Sequence, residues 1–246
     1  GGGYTWSENS REYKLSSWSN DPVLDPAGEI CYLRDEKSGM LWTPTPLPIR
    51  DSEPYTIRHG QGYTCFQHTS QGIEQSYLLF VPREDPVKIA QLTLRNTTEE
   101  LRQLSVTYYI EWVLGVNRDK TAPYLVTEYE PQSGVLMARN VYQEHFPGRY
   151  GFLQISADSP ILEKSWTGDR AEFIGRNGSL ARPAALERCS LSRQTGAKFH
   201  ACGAMQVKLA LPPGAETKVT IMIGAAKSVG EAQNYAAKYT GSGTVQ

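Results

Sequence analysis

RQLSVTYYIEWVL, residues 102–114, is the stretch of this chain that most directly indicates its fold. Large apolar side chains occupy every second position, namely Leu104, Val106, Tyr108, Ile110, Trp112 and Leu114. Alternating with them are Ser105, Thr107, Tyr109 and Glu111. Because successive side chains of a strand point to opposite faces, this order predicts a long antiparallel strand with one dry face.

Shorter segments with strand character lie on both sides of that stretch, separated by Gly, Pro and Asn turn signals. We predict strands at 29–34, 40–43, 55–59, 62–68, 73–81, 87–96, 125–130, 135–139, 150–156, 164–167, 205–211 and 217–224. The segments do not alternate with helices as βαβ units would. The sequence therefore predicts an all-β chain built from two broad, stacked antiparallel sheets.

Two segments depart from the strand pattern. Residues 168–196 have weak periodicity, and we interpret them as a long ordered loop. Near the end, Ser228 and Glu231 form a capping box, which predicts a helix. One stripe of that helix carries apolar and aromatic side chains, at Ala232, Tyr235, Ala236 and Tyr239. The stripe needs a partner surface, either the sheet or a following helical region.

The composition restricts the classes of partner. The 246 residues include 25 basic and 26 acidic side chains without a basic block, which argues against nucleic acid and anionic membrane surfaces. We find no signal peptide and no apolar run long enough for insertion into a membrane. The four cysteines lack metal-ligand spacing, so no metal site is expected. Two disulfides and four reduced thiols both remain compatible with their number. The Gly-Gly-Gly start without Met suggests a piece of a longer protein.

Residues 1–22, GGGYTWSENSREYKLSSWSNDP, combine aromatic and polar side chains without strand or helix periodicity. Flat rings such as that of Trp6 stack on the apolar faces of sugars, and Asn9 and Arg11 provide partners for hydroxyl groups. This composition is typical of carbohydrate binding. The alternative is a segment whose aromatic side chains fill the edge of a sheet.

The rest of the chain lacks a recognisable catalytic signature, because no nucleophile elbow, zinc motif or phosphate-binding loop is present. Glu111, Glu128 and Glu130 could supply a glycosidase-type carboxylate pair, although surface or ion-paired carboxylates are the default interpretation. Metal or acid–base roles of His59 and His68 are less favoured than structural ones. Further polar and aromatic groups favour binding over catalysis, namely Trp42, Arg58, His59, Gln61 and Tyr63.

Long motifs run through nearly the whole chain. Besides residues 1–22, they are YLRDEKSGMLWTPTPLPIRD, PYTIRHGQGYTCFQH, FVPREDPVKIAQLTLRN, YYIEWVLG and DRAEFIGRNGSLARPAAL. They closely resemble the β-sandwich domain of glycoside hydrolase family 94, the cellobiose and chitobiose phosphorylase family. The version found in cyclic β-1,2-glucan synthases is the most similar one.

The resemblance implies a galactose-mutarotase-like supersandwich over 1–226 and the start of a helical linker over 227–246. In this family an (α/α)6 barrel follows, which carries the aspartate general acid, and inorganic phosphate attacks the anomeric carbon with inversion. We therefore expect no catalytic residue and no cofactor on this chain, with phosphate a co-substrate of the parent enzyme. The helix at the end would begin the linker, with its stripe left unpaired. A cytoplasmic location in an inner-membrane-associated parent, with reduced thiols, is also implied.

Three functional hypotheses follow. The first is a non-catalytic domain that shapes the β-glucan site, docks on the barrel of the same chain and contributes to a homodimer. The others are an independent carbohydrate-binding module and a purely structural or dimerisation domain. Under the first hypothesis, Trp6 stacks on a sugar, polar groups bind its hydroxyls or phosphate, and His59 either joins them or braces its loop. The expected substrate contacts are Trp6, Asn9, Arg11, Arg58, His59 and Gln61.

Overall fold

Two antiparallel sheets are present in a computed structural model that describes residues 3–18, 23, 27–198 and 200–240. The strands are β1 (Lys14–Ser16), β2 (Glu29–Asp35), β3 (Leu41–Trp42), β4 (Thr56–Gly60), β5 (Tyr63–Ser70), β6 (Ile73–Phe80), β7 (Val87–Asn96), β8 (Arg102–Gly115), β9 (Leu125–Glu130), β10 (Val135–Asn140), β11 (Tyr150–Ala157), β12 (Ile161–Asp169), β13 (Gly196–Ala197), β14 (Ala201–Leu211) and β15 (Glu216–Ala226). The helices are α1 (Arg118–Thr121), α2 (Arg170–Ile174) and α3 (Val229–Tyr239), with 3-10 turns at Ala122–Tyr124 and Ala184–Glu187.

The strand at the centre of the smaller sheet is β8. Within the described residues this sheet has six strands, in the order β12-β14-β8-β2-β3, and β1 pairs with β8 beyond the end of β2. The larger sheet has nine described strands, in the order β13-β9-β10-β11-β15-β7-β6-β5-β4. The strand pairs are antiparallel throughout. The prediction of two broad antiparallel sheets is confirmed.

The main core lies between the sheets and contains the predicted apolar face of β8, including Val106 and Trp112. The opposite face of β8 is also buried, and its Tyr109 stacks on Phe173 of α2 with 4.8 Å between ring centroids. The expectation of a single dry face is therefore wrong. Residues 168–196, interpreted as a loop, include α2 and a 3-10 turn, and they cover a second apolar cluster on the outer face.

The N-terminal segment, residues 3–18, combines both interpretations that the sequence left open. Its β1 pairs with β8, and Tyr13 and Leu15 are buried in the main core. These two side chains fill the end of the sandwich. By contrast, Trp6 is 50% exposed and Trp18 is 43% exposed. Residues 19–22 of the sequence motif lie outside the described residues.

The stripe of α3 packs against the outer face of the larger sheet. Ala232, Ala236 and Tyr239 are buried there with Phe152 and Met222. The implied unpaired stripe is therefore wrong, since the sheet of the same chain covers it. The capping box is present, with the Ser228 hydroxyl accepting a hydrogen bond from the Glu231 N–H at 3.1 Å.

Candidate functional site

One end of the sandwich, called here the arm end, carries the six residues that the sequence predicts as substrate contacts. The strand registers bring the β4–β5 turn, the β6–β7 loop and the β10–β11 loop to this end. The N-terminal segment lies across it, since Glu8 pairs with Arg149 at 2.9 Å and Tyr13 packs on Phe146 with 5.1 Å between ring centroids. Residues far apart in sequence therefore share one surface.

Three of the six residues lie on the N-terminal segment. The carboxamide oxygen of Asn9 accepts hydrogen bonds from the N–H groups of Arg11 and Glu12, both at 2.9 Å. This turn presents the Arg11 side chain to solvent, where it is 83% exposed and lies 3.3 Å from the Glu12 carboxylate. Asn9 therefore has a structural role that its sequence context did not reveal, while Trp6 and Arg11 are accessible.

The other three residues lie on the β4–β5 hairpin at the edge of the larger sheet. Arg58, His59 and Gln61 are exposed. His59 Nδ1 lies 3.0 Å from the Thr64 hydroxyl on the paired strand, so the ring does brace the hairpin. Among the residues that the structure describes, no hydrogen bond or ion pair joins this hairpin group to Trp6, Asn9 or Arg11.

Two aromatic residues considered with the hairpin differ in exposure. Tyr63, at its tip, is 46% exposed. Trp42 is 3% exposed and belongs to the main core. The suggestion that Trp42 contributes to a binding surface is therefore wrong, because its ring fills space between the sheets.

The loop before the hairpin is anchored by Asp51. Its carboxylate accepts a hydrogen bond from the Ser70 hydroxyl at 2.5 Å and lies 3.2 Å from His68 Nε2. Tyr55 stacks on the His68 ring at 3.8 Å between centroids. The Ser70 hydrogen bond, assisted by the Glu53 N–H and His68 and opposed by burial, lowers the pKa of Asp51 to about 2. These contacts hold the loop before β4 against β5.

Because the pKa of Asp51 is lower in the folded chain than in the unfolded chain, its contribution to stability is present at neutral pH. It is lost as the pH falls from about 4 toward about 2. We expect Asp51→Asn to lower the free energy of unfolding by about 1–3 kcal/mol at pH 6. The difference from wild type should shrink by pH 3, as measured by urea unfolding. Asp119→Asn, at a side chain that is 94% exposed, is the control and should show no such trend.

A buried polar network lies beneath the N-terminal segment. Lys88 of β7 donates to the Glu29 carboxylate of β2 at 2.7 Å, and the two side chains are 9% and 0% exposed. Glu29 also accepts hydrogen bonds from the hydroxyls of Ser16 at 2.6 Å and Tyr108 at 2.8 Å. Lys88 in addition contacts the Thr5 hydroxyl at 3.2 Å. The network joins both sheets to the N-terminal segment.

Two cavities open above this network. The first, about 370 Å³ in volume, lies beside Trp6 and is mainly apolar, with Tyr4, Val81, Pro86 and Lys88 also in its wall. The second, about 330 Å³, is lined by Arg149 and by residues at the start of α3, including Lys227, Glu231 and Tyr235. Ser7, Glu8 and Pro86 line both cavities. The two cavities are therefore adjacent compartments on one surface, called together the arm groove.

The sequence reasoning missed Glu8, Lys88 and Arg149 as members of this surface. One signal was present, because Lys88 interrupts the apolar run of the strand predicted at 87–96. Glu8 has a positive φ of 60°, a conformation that costs energy for a residue other than glycine. The local sequence indicates neither that backbone conformation nor the pairing with Arg149.

The three carboxylates considered for glycosidase chemistry lie in different environments. Glu111 is buried beneath the guanidinium groups of Arg118 and Arg170, at 2.5 and 3.0 Å. Glu128 is exposed on β9. The pKa of Glu130 is lowered to about 2 by hydrogen bonds from Ser133, which is opposite to the shift that a general acid needs. Glu111 is thus ion-paired and Glu128 lies at the surface, in agreement with the default interpretation for these two residues.

Other expected properties concern metals, thiols and membranes. In the described parts of the chain, no three His, Cys, Asp or Glu side chains are arranged to hold a metal ion. The four cysteines are free thiols: Cys31 and Cys202 are buried, Cys65 is half-buried and Cys189 is exposed. Burial raises the pKa of the Cys202 thiol well above its usual range. Within the described residues, every helix is too short or too polar to cross a membrane.

Solved structures define the class of fold. A bacterial glucoamylase complexed with acarbose superimposes with a TM-score of 0.56 at 9% identity, over 97% of this chain and 31% of that chain. A polysaccharide lyase superimposes with a TM-score of 0.51 at 11% identity, over 93% of this chain and 31% of that chain. The chain is thus a β-supersandwich domain, and the expected fold class is confirmed.

Sequence comparison identifies the family. The family model described as "Glycosyl hydrolase 94, supersandwich domain" matches residues 1–242. Cyclic beta-(1,2)-glucan synthase NdvB of Rhizobium meliloti is 37% identical over 226 residues, which is 91% of this chain and 8% of that protein. N,N'-diacetylchitobiose phosphorylase of Vibrio proteolyticus is 30% identical over 241 residues, 94% of this chain and 29% of that protein. The chain belongs to the glycoside hydrolase 94 supersandwich family, and it spans less than a third of these relatives.

Proposed function

We propose that this chain is the non-catalytic N-terminal domain of a phosphorylase-type enzyme that processes β-1,2-glucan. Residues 1–226 form the supersandwich, and 227–246 begin the connection to a catalytic (α/α)6 barrel of the same parent chain. The domain docks on that barrel through the arm end and shapes the carbohydrate site, with inorganic phosphate as co-substrate of the parent. The parent functions in the cytoplasm at the inner membrane, and the domain contributes to a homodimer.

The observation that carries this proposal is the accessibility of two separate polar and aromatic groups at one end of the molecule. Trp6 and Arg11 from the N-terminal segment and Arg58 and Gln61 from the hairpin are exposed there. Trp6 lines one cavity with Tyr4, which stacks on the 43% exposed Trp18, and an exposed apolar patch of this kind often marks an interaction site. The 37% identity to a protein named as a cyclic beta-(1,2)-glucan synthase supports the choice of glucan.

The proposal predicts that Arg11→Ala in the full parent enzyme impairs phosphorolysis of linear β-1,2-glucan. Loss of hydrogen bonds from a charged group costs about 1.5–3 kcal/mol, so kcat/KM should fall by about tenfold or more. Steady-state kinetics with glucans of defined length would measure this fall. Arg58→Ala and Gln61→Ala should act in the same direction.

Arg182→Ala is the matched control, since Arg182 is 81% exposed and pairs with neighbouring Glu187 at 2.8 Å, as Arg11 pairs with Glu12. Arg182 lies in the segment that covers the outer face of the smaller sheet. Its replacement should leave the kinetics unchanged. If Arg11, Arg58 and Gln61 variants also retain the parent kinetics while folding normally, the assignment of substrate contacts is wrong.

A further inference from the structure

The arm groove consists of two adjacent compartments of similar size. Its compartments, of about 370 and 330 Å³, lie near the lower end of the range for small-ligand pockets, about 300–1,000 Å³. They meet at a shared wall of Ser7, Glu8 and Pro86. A ligand with two similar rings joined by one linkage fits this division better than a single compact molecule.

The two compartments differ in chemistry. In the first, the half-exposed Trp6 ring and the Tyr4 ring border a mainly apolar cavity. Tyr4 is held by stacking on Trp18 at 5.3 Å between centroids and by a hydrogen bond from its hydroxyl to the Ser10 carbonyl at 3.0 Å. Such a cavity suits the apolar face of a pyranose ring.

The second compartment supplies hydrogen-bonding groups of both kinds. Its charged side chains are two cations, Arg149 and Lys227, and two anions, Glu8 and Glu231. The Tyr235 hydroxyl donates to Glu231 at 3.3 Å. Because these charges balance, the compartment does not favour phosphate or another ion. Carboxylates and guanidinium groups together can instead bind the donor and acceptor hydroxyls of a neutral sugar.

The wall between the compartments is held in a fixed geometry. Glu8 keeps a φ of 60° while its carboxylate pairs with Arg149 at 2.9 Å. Below it, the Glu29–Lys88 pair fixes Thr5 and Ser16 of the N-terminal segment. Strained backbone that is held by its surroundings is concentrated at functional sites, where it preorganises a surface for its ligand.

We propose that the arm groove binds two consecutive glucosyl units of a β-linked glucan, one stacked on Trp6 and the next hydrogen-bonded beside Arg149 and Tyr235. The glucosyl identity rests on the proposed function, whereas the two-ring, uncharged character rests on the groove. This site belongs to the domain itself and is separate from the β4–β5 hairpin. It would hold a glucan chain without contributing to bond cleavage.

Isothermal titration of the 246-residue chain with glucose and with β-1,2-linked disaccharide and trisaccharide tests the proposal. The disaccharide should bind at least about tenfold more tightly than glucose, and the trisaccharide should add little. Trp6→Ala should weaken disaccharide binding by about tenfold or more, since aromatic side chains that become covered on binding contribute much of the binding energy. Tyr235→Phe, which removes only a hydroxyl, should weaken binding of the disaccharide and leave that of glucose unchanged.

Tyr142→Ala is the matched control, because Tyr142 is 65% exposed and lines neither compartment of the groove. The Tyr142→Ala variant should bind the disaccharide with the affinity of the unmodified chain. The absence of saturable binding at millimolar disaccharide would overturn the proposal. It would also be overturned if the Trp6→Ala and Tyr235→Phe variants bound the disaccharide as tightly as the unmodified chain does. If the 246-residue chain does not bind the disaccharide while Arg58→Ala still impairs the parent enzyme, the groove assignment fails and the proposed function stands.

Discussion

Replacing Lys88 by methionine should lower the free energy of unfolding by about 3–5 kcal/mol, because the change leaves the Glu29 carboxylate buried without its cation. Glu29 is 0% exposed at its side chain, so its carboxylate is shielded from water in the intact fold. Total stabilities of about 5–15 kcal/mol make this a large fraction of what holds the fold. Urea unfolding would reveal it as a lower midpoint with an unchanged slope.

The penalty should come from the uncompensated charge and not from lost packing. The double variant Glu29→Gln with Lys88→Met should therefore be more stable than Lys88→Met alone. Glu100→Gln is the control, since the Lys37–Glu100 pair has the same 2.7 Å separation but side chains that are 78% and 68% exposed. Its midpoint should not change measurably. A loss of less than about 1 kcal/mol for Lys88→Met would contradict the buried-pair interpretation.

Lys88→Met should also affect the surface that we propose for docking and carbohydrate binding. Lys88 is joined to Thr5, which precedes Trp6, and through Glu29 to Ser16, the last residue of β1. Lys88→Met should therefore also loosen the N-terminal segment where it lies across the arm end. Hydrogen exchange of the Thr5 and Leu15 amides, which participate in hydrogen bonds with Ser16 and Thr5, would report that loosening separately from global unfolding.

The sequence predicts the strands of this fold well because their signal is local. Period two places Val106 and Trp112 on one face of β8, and both are buried in the main core. The burial of Tyr109 could not be predicted, because Phe173 covers it from a segment without clear periodicity. A covering layer depends on contacts between distant residues, whereas a strand depends on its own alternation.

In the candidate site, too, local features could be predicted from the sequence and contacts between distant residues could not. The aromatic and polar content of the N-terminal segment is by itself enough to indicate a surface group. The compartments of the arm groove depend on Arg149, which reaches Glu8 from more than a hundred residues away, and on Lys88, which pairs with Glu29 at a separation of 59 residues. Such pairings are set by sheet register and loop packing, which local patterns do not contain.

Trp112→Ala should be comparably destabilising, by about 3–5 kcal/mol, because Trp112 is fully buried at the junction of the two sheets. Glycines make room for its ring on both sides. A Cβ added at Gly203 of the neighbouring strand β14 would lie 2.7 Å from Trp112 Nε1. A Cβ added at Gly151, on β11 of the opposite sheet, would lie 2.9 Å from Trp112 Cζ3. Thermal or urea unfolding would measure the loss.

The glycine contacts make this prediction more specific than a general cavity effect. Gly203→Ala should cost about 1–3 kcal/mol in the unmodified chain, because a fully buried ring cannot move aside without overpacking its neighbours. The cost should be smaller in a Trp112→Phe background, since phenylalanine lacks the Nε1 atom that the new methyl group would meet. A double-mutant cycle therefore isolates the contact, with a coupling energy of about 0.5–3 kcal/mol. Additive costs would contradict it, and would mean that Gly203 is required by a contact other than the indole ring, such as Ile110 Cγ2, which would lie 2.9 Å from the new Cβ.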